Sequence, residues 1–427
     1  MKILFFTHYF PPEGNAPASR TYEHCVRWVR EGHDVTVITC VPNVPTGVPY
    51  EGYKNRFRAQ KEVVDGINVV RVWTLLAANS GFTKRILNYL TYMISATWAG
   101  MWVKKPDVII ATSPQFFCGW AGVLVQFFRR RPFVLEIRDI WPESITAVGA
   151  MKRGFAVRVL EWLEKKMYRS ADHIVTVGKG YRDNVSAKAP VGDRTSVIYN
   201  GVDGNQFTPV PADADFRARY GMADRFLVSY VGTIGMAHGL ETVLDAAEKL
   251  KAAGRNDVGF LLVGDGARRE SLEGEAAERG LTDMVKFTGR LPKTEMPRVL
   301  ASSETLLVHL RACDLFTTVI PSKIFEAMAM ERPIIMGVQG ESADIVREAE
   351  AGLDMEPGNA DSLIECVDRL AKDDGLYSSL SSSARRFVLD EFSRDAFAAT
   401  YLELLASLVP GVDSAPQEDL TAPPAAN

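Results

Sequence analysis

Hydrophobic and polar positions along the chain follow a repeating order of short apolar run, loop and segment with apolar residues at helical spacing. KILFF at 2–6 predicts a buried strand, THYFPPEGNAPAS a loop, TYEHCVRWVREG a helix closed by Gly32, and the run 35–40 the next strand. Further strands are predicted in GINVVRVW, DVIIAT, FVLEI, DHIVTV and TSVIY, with a helix in SPQFFCGWAGVLVQFF. A stretch rich in turn formers, NGVDGNQFTPVPADADFRARYG, then reads as a connection. Beyond it the rhythm restarts with FLVSYV, a glycine-rich loop GTIGMAHG, the helix LETVLDAAEKLKAAG, the strand VGFLLV and a GDG turn. Strands in TLLVHL and PIIMGV flank a short helix in PSKIFEAMAMER, and ESADIVREA forms the next helix. Helical crossovers between strands favour parallel sheets, so the pattern predicts two successive α/β domains. Their expected limits are 1–205 and 206–390, with a helix at 391–409 returning towards the first domain and a disordered tail at 410–427. Ligands of such sheets sit beyond the carboxyl ends of the strands, here in a cleft between the domains.

Composition narrows the chemistry. A chain of 427 residues, 47% hydrophobic and 24% charged, suits two globular domains better than one core. The five cysteines are scattered without a CxxC pair and the six histidines form no HExxH, which argues against a zinc or iron–sulfur centre and for a reducing compartment. MKILFFTHYFPP does not read as a signal peptide, because its apolar run stops at Thr7, His8 and a proline pair. Up to Thr208 there are 27 Lys and Arg against 17 Asp and Glu, whereas the remainder has 22 against 36. The first half therefore suits a negative surface. Nucleic acid is not expected, since no groove motif of interleaved aromatic and basic residues occurs.

Two loops have the composition of anion cradles. PPEGNAPAS at 11–19 places Gly14 before a helix start, and GTIGMAHG at 232–239 does the same with three glycines. Neither matches GxGxxG, which argues against a dinucleotide-binding fold. In PSKIFE, Ser322 occupies the expected N-cap position after Pro321, Lys323 the first turn and Glu326 the next. A lysine at a helix start opposes the helix dipole but becomes useful when an anion sits there. A carboxylate one turn on can accept from both hydroxyls of a ribose. An exposed i, i+3 ion pair on an ordinary packing helix is the competing account.

The order of elements, the FPPE loop, VGTIG…HGLETVLDA, LLVGDG, FTGRLP and PSKIFEAMAMERPII resemble the retaining family 4 glycosyltransferases of the GT-B class. EIRDIWPES together with PSKIFE is similar to the bacterial enzymes of surface-polysaccharide assembly, including N-acetylfucosamine-type transferases. The resemblance spans about residues 1–405. It implies two Rossmann-like parallel-sheet domains facing across a cleft, with a nucleotide sugar on the second, an acceptor on the first and no divalent metal. The implied donor-site residues are Gly14, Thr233, His238, Gly264, Arg290, Pro321, Ser322, Lys323 and Glu326, and the acceptor side takes His8, Glu13, Asn15, Arg138 and Glu143. Arg138, Asp139, Lys323 and Glu326 are the implied catalytic set.

The chain departs from the family pattern in three places. Of the family's two frequent glutamates Glu326 fits the second and Thr318 takes the first position. The usual arginine and lysine of the first loop in the second domain fall at Thr233 and His238, and a frequent histidine at Arg138. Phosphate neutralisation is then expected from Lys323, Arg290, His238 or loop amides. Arg138 would face substrate oxygens or pair with Glu136 or Asp139.

The uncharged run 88–103 is flanked by Lys84, Arg85, Lys104 and Lys105, and is too short for a typical span of about 20 residues. With RRR at 129–131 and the basic helical run FAVRVLEWLEKKMYR, it suits peripheral attachment to an anionic membrane. The combined expectation is transfer of a hexosyl or N-acetylhexosaminyl unit from a UDP-sugar to a polyprenyl-diphosphate-linked saccharide at the cytoplasmic face of the inner membrane. Alternatives are a small soluble acceptor, or a non-catalytic nucleotide-sugar-binding scaffold.

Overall fold

The computed structural model describes residues 1–44, 46–77, 82–113, 115–147 and 154–411. The tail expected to be disordered lies outside the described residues from position 412 onwards. Two sheets organise the chain. The first contains β1 (Lys2–Phe6), β2 (Asp34–Cys40), β3 (Gln60–Val64), β4 (Ile67–Val72), β5 (Val108–Thr112), β6 (Phe133–Ile137), β7 (His173–Thr176) and β8 (Thr195–Val197). Its order is β3-β4-β2-β1-β5-β6-β7-β8. The second contains β9 (Phe226–Val231), β10 (Val258–Val263), β11 (Val285–Gly289), β12 (Thr305–His309), β13 (Ile334–Gly337) and β14 (Gly352–Asp354), in the order β11-β10-β9-β12-β13-β14.

Every strand pairing is parallel except β3 with β4. That hairpin was not foreseen, although its turn carries a signal. Asp65 and Gly66 have φ of 48° and 83°, the left-handed pair that a two-residue hairpin loop requires. The central strands are buried on both faces, as their predominance of Val, Ile, Leu and Phe demands. Each sheet reverses its winding once, between β1 and β5 in the first and between β9 and β12 in the second. Beyond the carboxyl ends of such neighbouring strands the loops diverge and leave a crevice.

The chain passes between the sheets twice, side by side. The Val202 N–H donates to Phe392 O and the Arg394 N–H to Val202 O, at 2.8 and 3.0 Å. Gly201 has φ 59°, and a Cβ there would lie 2.5 Å from Phe392 O, so only glycine allows this close pairing. The helix Arg394–Ser407 then packs on the first sheet's helix Ala16–Arg30. Tyr401 and Leu405 are fully buried with Ile3, Phe5 and Trp28, and the Trp28 indole N–H donates to Ala398 O at 2.9 Å. Burying one such aromatic side chain contributes about 2–3 kcal/mol. The end of the chain therefore straps the two sheets together.

Candidate active site in the cleft between the sheets

The loop after β9 and the turn after β10 abut one another at the switch point of the second sheet. The Ile234 N–H donates to Asp265 O and the Arg268 N–H to Ile234 O, both at 3.0 Å. Gly264 has φ 141°, and a Cβ on it would meet Gly232 O at 1.8 Å. Gly264 thus acts by permitting loop-on-loop contact, which shapes the cradle from behind.

Lys323 opens the helix Lys323–Ala329 beside this cradle. Its Nζ lies 3.7 Å above the centre of the Tyr230 ring and 3.0 Å from where a Cβ on Gly232 would be. Gly232 therefore makes the room that the ammonium occupies. Burial holds the Lys323 amine down to about 7, and Glu326 opposes that effect only in part. Lys323 and Glu326 do not pair with one another. The nearest cation to Glu326 is Arg394, whose Nη2 is 3.9 Å from Oε1. This overturns the surface ion-pair account of the motif. It also corrects the N-cap expectation, because Ser322 has helical φ and ψ of −59° and −18° and its side chain caps nothing. Pro321 precedes it at the cleft edge, half-buried.

His238 lies in the short 3-10 turn Met236–His238, its ring 5.9 Å from Tyr230. Burial first, and then Lys323, lower its imidazole to about 4, so it is neutral near pH 7. Its Nδ1 accepts from the Gly235 N–H at 3.3 Å, which leaves the proton on Nε2 as a donor. Behind it, His309 at the end of β12 donates from Nδ1 to His238 O at 2.7 Å and accepts at Nε2 from the Gly358 N–H at 2.9 Å. A neutral His309 is thereby fixed in one tautomer and pins the cradle loop to the loop before the helix Ala360–Lys372. Sequence reasoning missed this residue, since a lone buried histidine carries no local motif. Thr233 is exposed on the loop and brings no cation to it.

The first domain faces this site through the loop after β1. Arg290, from the chain following β11, reaches across so that its Nη2 would lie 3.3 Å from a Cβ on Gly14. Gly14 and Arg290 thus meet at the mouth of the cleft. A charge network, also missed, lies deeper. Glu23 accepts from Arg27 at 2.8 Å and faces Lys293 at 3.2 Å and Arg394 at 3.4 Å. Burial pushes the Glu326 carboxyl above its ordinary range, while Arg394, Lys293 and Lys323 offset part of that cost. On the far side Glu341 accepts from the Lys179 and Gly180 N–H groups at 2.9 and 3.0 Å and from the Tyr199 hydroxyl at 2.8 Å. A carboxylate from the second domain thereby covers the start of a first-domain helix. Thr318 packs against Gly180 in the same seam.

The acceptor-side residues named from the sequence have other partners. Arg138 donates to Pro17 O and Ala16 O at 3.2 and 3.1 Å and lies 3.9 Å from Glu136. It clamps the start of the helix Ala16–Arg30, and burial beside Arg20 lowers its guanidinium to about 10. Glu136 is held chiefly by Arg20 at 3.3 Å and by the Thr112 hydroxyl at 2.8 Å. Asp139 is pushed up to about 6 by burial and is not paired with Arg138. Asn15 caps that same helix through Ala18 N–H at 2.9 Å. Glu13 accepts from the Asn43 and Val44 N–H groups at 2.9 and 3.1 Å, fixing the loop after β2. His8 is buried among Tyr9, Tyr89 and Tyr92, and burial lowers it to about 4. Glu143 forms an ion pair with Lys188 at 3.1 Å within the first domain. Glu13, Asn15 and Glu143 thus have partners within the first domain, whereas His8 Nε2 is buried without a hydrogen-bond partner among the described residues. Gly14 and Arg290, Glu23, Lys293, Arg394 and Glu326, and on the far side Glu341, meet across the cleft.

Two family models match in tandem. Residues 15–201 match the glycosyl transferase 4-like domain and residues 213–387 the glycosyl transferases group 1 family. With two Rossmann-like sheets facing across a cleft, these matches mark the chain as a glycosyltransferase of the GT-B class. The chain is 28% identical over 313 residues to the probable glycosyltransferase WbjE of Pseudomonas aeruginosa, covering 71% of this chain and 76% of that protein. It is 27% identical over 343 residues to the putative colanic acid biosynthesis glycosyl transferase WcaI of Escherichia coli, covering 77% and 81%. It is therefore related to bacterial polysaccharide glycosyltransferases. Among solved structures, Anabaena HepE in complex with UDP-glucose superposes with a TM-score of 0.71 at 20% identity, covering 96% of this chain and 100% of that one. WaaG, a glycosyltransferase involved in lipopolysaccharide biosynthesis, superposes at 0.66 with 15% identity and the same coverage. Both likenesses concern the fold.

Proposed function

We propose that the protein transfers a hexosyl or N-acetylhexosaminyl unit, with retention, from a UDP-sugar to a lipid-linked saccharide during cell-surface polysaccharide assembly, at the cytoplasmic face of the inner membrane. The observation that carries the reading is Lys323, a desolvated cation beside the glycine cradle that forms no ion pair among the described residues. A buried ammonium that lacks a counter-charge is unfavourable by itself and becomes favourable once a diphosphate supplies one. As the anomeric bond breaks, negative charge grows on the leaving diphosphate. Lys323, the amides of the loop after β9 and the neutral His238 Nε2–H donate to it there. Glu326 accepts from the ribose hydroxyls, and Arg290 of the second domain closes the mouth against Gly14 of the first. The chemistry asks no divalent metal of these residues. HepE, whose structure contains UDP-glucose, supports the donor class, and the relative named for colanic acid biosynthesis supports the setting.

The test is a donor panel with a lipid-linked acceptor extract, followed by mass spectrometry and NMR of the new anomeric centre. A UDP-sugar should turn over with its anomeric configuration kept, and Lys323→Met should lower kcat/KM roughly 100-fold or more, about 2.7 kcal/mol. Turnover on soluble acceptors alone would move the reading to a small-molecule acceptor. UDP binding without turnover on any acceptor would make the protein a binding scaffold.

A further inference from the structure

The helix Phe82–Trp102 packs beside the helix Phe116–Arg129 on one face of the first sheet, and both turn large apolar side chains outwards. Ile94, Trp98 and Trp102 are 65, 68 and 73% exposed at helical spacing, and Phe127 and Phe128 are 71 and 61% exposed at the matching end of the neighbouring helix. The two ends are joined directly, because Arg129 donates to Met101 O and Val103 O at 3.1 and 2.8 Å. Trp98 and Trp102 stand with ring centres 5.7 Å apart. Side chains of this size do not face water in a continuous group without a reason. Farther along the same layer, the helix Phe155–Ser170 adds Trp162, 54% exposed with Lys166 over its ring at 4.2 Å.

We infer that this ridge is a membrane-docking surface whose aromatic side chains insert into the interface of an anionic lipid bilayer. Charge decides between a bilayer and a second copy of the chain. No Asp or Glu occurs in residues 66–106 or 108–135, so both helices carry basic groups only. Lys105 and Arg130 are exposed next to Trp102 and Phe128. Two copies would bring basic faces together, whereas anionic headgroups complement them. Tryptophan beside lysine suits the boundary between headgroup and acyl chain, where the ring body is apolar and its N–H is wet. The geometry also refines the basic set expected from the sequence. Arg85 is turned onto Tyr89, with Nη2 3.2 Å from its hydroxyl, and Arg129 is spent on carbonyls. Docking therefore depends on the aromatic ridge first and on Lys105 and Arg130 second. Among the described residues no helix is long and apolar enough to cross a membrane, and this helix would lie in the plane of the interface.

The inference rests on the lipid-linked acceptor reading only for its biological sense, and its test is separate. The full chain would be floated with vesicles of phosphatidylethanolamine and phosphatidylglycerol, with phosphatidylcholine vesicles as the neutral comparison, while UDP affinity and oligomeric state are measured in parallel. Wild type should float with the anionic vesicles. Trp98→Ser with Trp102→Ser should weaken partitioning at least tenfold at both low and high salt, and Lys105→Gln with Arg130→Gln should weaken it at low salt. Both variants should keep wild-type UDP affinity, which shows the cleft intact and separates this surface from donor chemistry. Equal flotation of the tryptophan variant, or no flotation of wild type, would overturn the inference. A wild-type dimer that the tryptophan variant converts to monomer, without vesicle binding, would assign the ridge to a second copy instead.

Discussion

Lys323 links pH to donor affinity in a way that can be worked out from its surroundings. Burial against Tyr230 and Gly232 brings its amine to about 7, so it is half protonated there. A diphosphate placed against Nζ raises that value again, and the complex holds more protons than the free protein. UDP affinity therefore falls as pH rises. If only the ammonium form binds, the apparent Kd grows about fivefold from pH 7 to 8 and about fiftyfold from pH 7 to 9. The last phosphate ionisation lies near 6, so the nucleotide's own charge is constant over that window. His238, already neutral, adds no slope. Folding has the opposite sign. The unfolded lysine titrates at its ordinary value and binds more protons than the folded one above about pH 7, so stability of the free protein increases with pH through that interval. Lys323→Met should thus raise the Tm of the free protein at pH 7 while removing both slopes, and Lys323→Arg should flatten the affinity slope while keeping a cation. Calorimetry in buffers of different ionisation enthalpy reads the proton uptake. A wild-type UDP affinity flat between pH 7 and 9, or an unchanged slope in Lys323→Met, would refute the reasoning.

Three further outcomes follow from the site. Gly264→Ala would push a Cβ into Gly232 O, separate the two cradle loops and destabilise the protein by about 3 kcal/mol with loss of UDP binding; an unchanged urea midpoint would count against it. Glu326→Gln should weaken UDP at least tenfold yet stabilise the free protein near neutral pH, because burial raises the folded-state carboxyl and its ionised form is the disfavoured one there. Unaltered calorimetric affinity would remove Glu326 from the donor site. Glu341→Ala leaves two amides and the Tyr199 hydroxyl without their acceptor, so the domains should open by small-angle scattering at about 2 kcal/mol while UDP affinity stays near wild type. A scattering curve identical to wild type would show that the seam does not depend on this carboxylate.

Much of this protein follows from local pattern. The parallel sheets were readable because strands buried on both faces must be continuously apolar, and the crossover helices must show an apolar stripe. Lys323 and Glu326 stood out because a charged pair interrupts an otherwise apolar segment beside glycine loops. What the sequence could not decide was which groups spend their hydrogen bonds locally and which remain available. Arg138, Asn15 and Glu13 have the composition of a substrate site, and main-chain atoms brought near by folding take up part of their hydrogen bonding. His309, Glu341 and the meeting of Glu23 with Arg394 join residues from distant parts of the chain, so no spacing rule registers them. The same holds for Lys323 itself. Its place in the motif is local, but its burial exists only because Tyr230 and Gly232 of a distant strand and loop close around it, and desolvation is a property of the assembled fold.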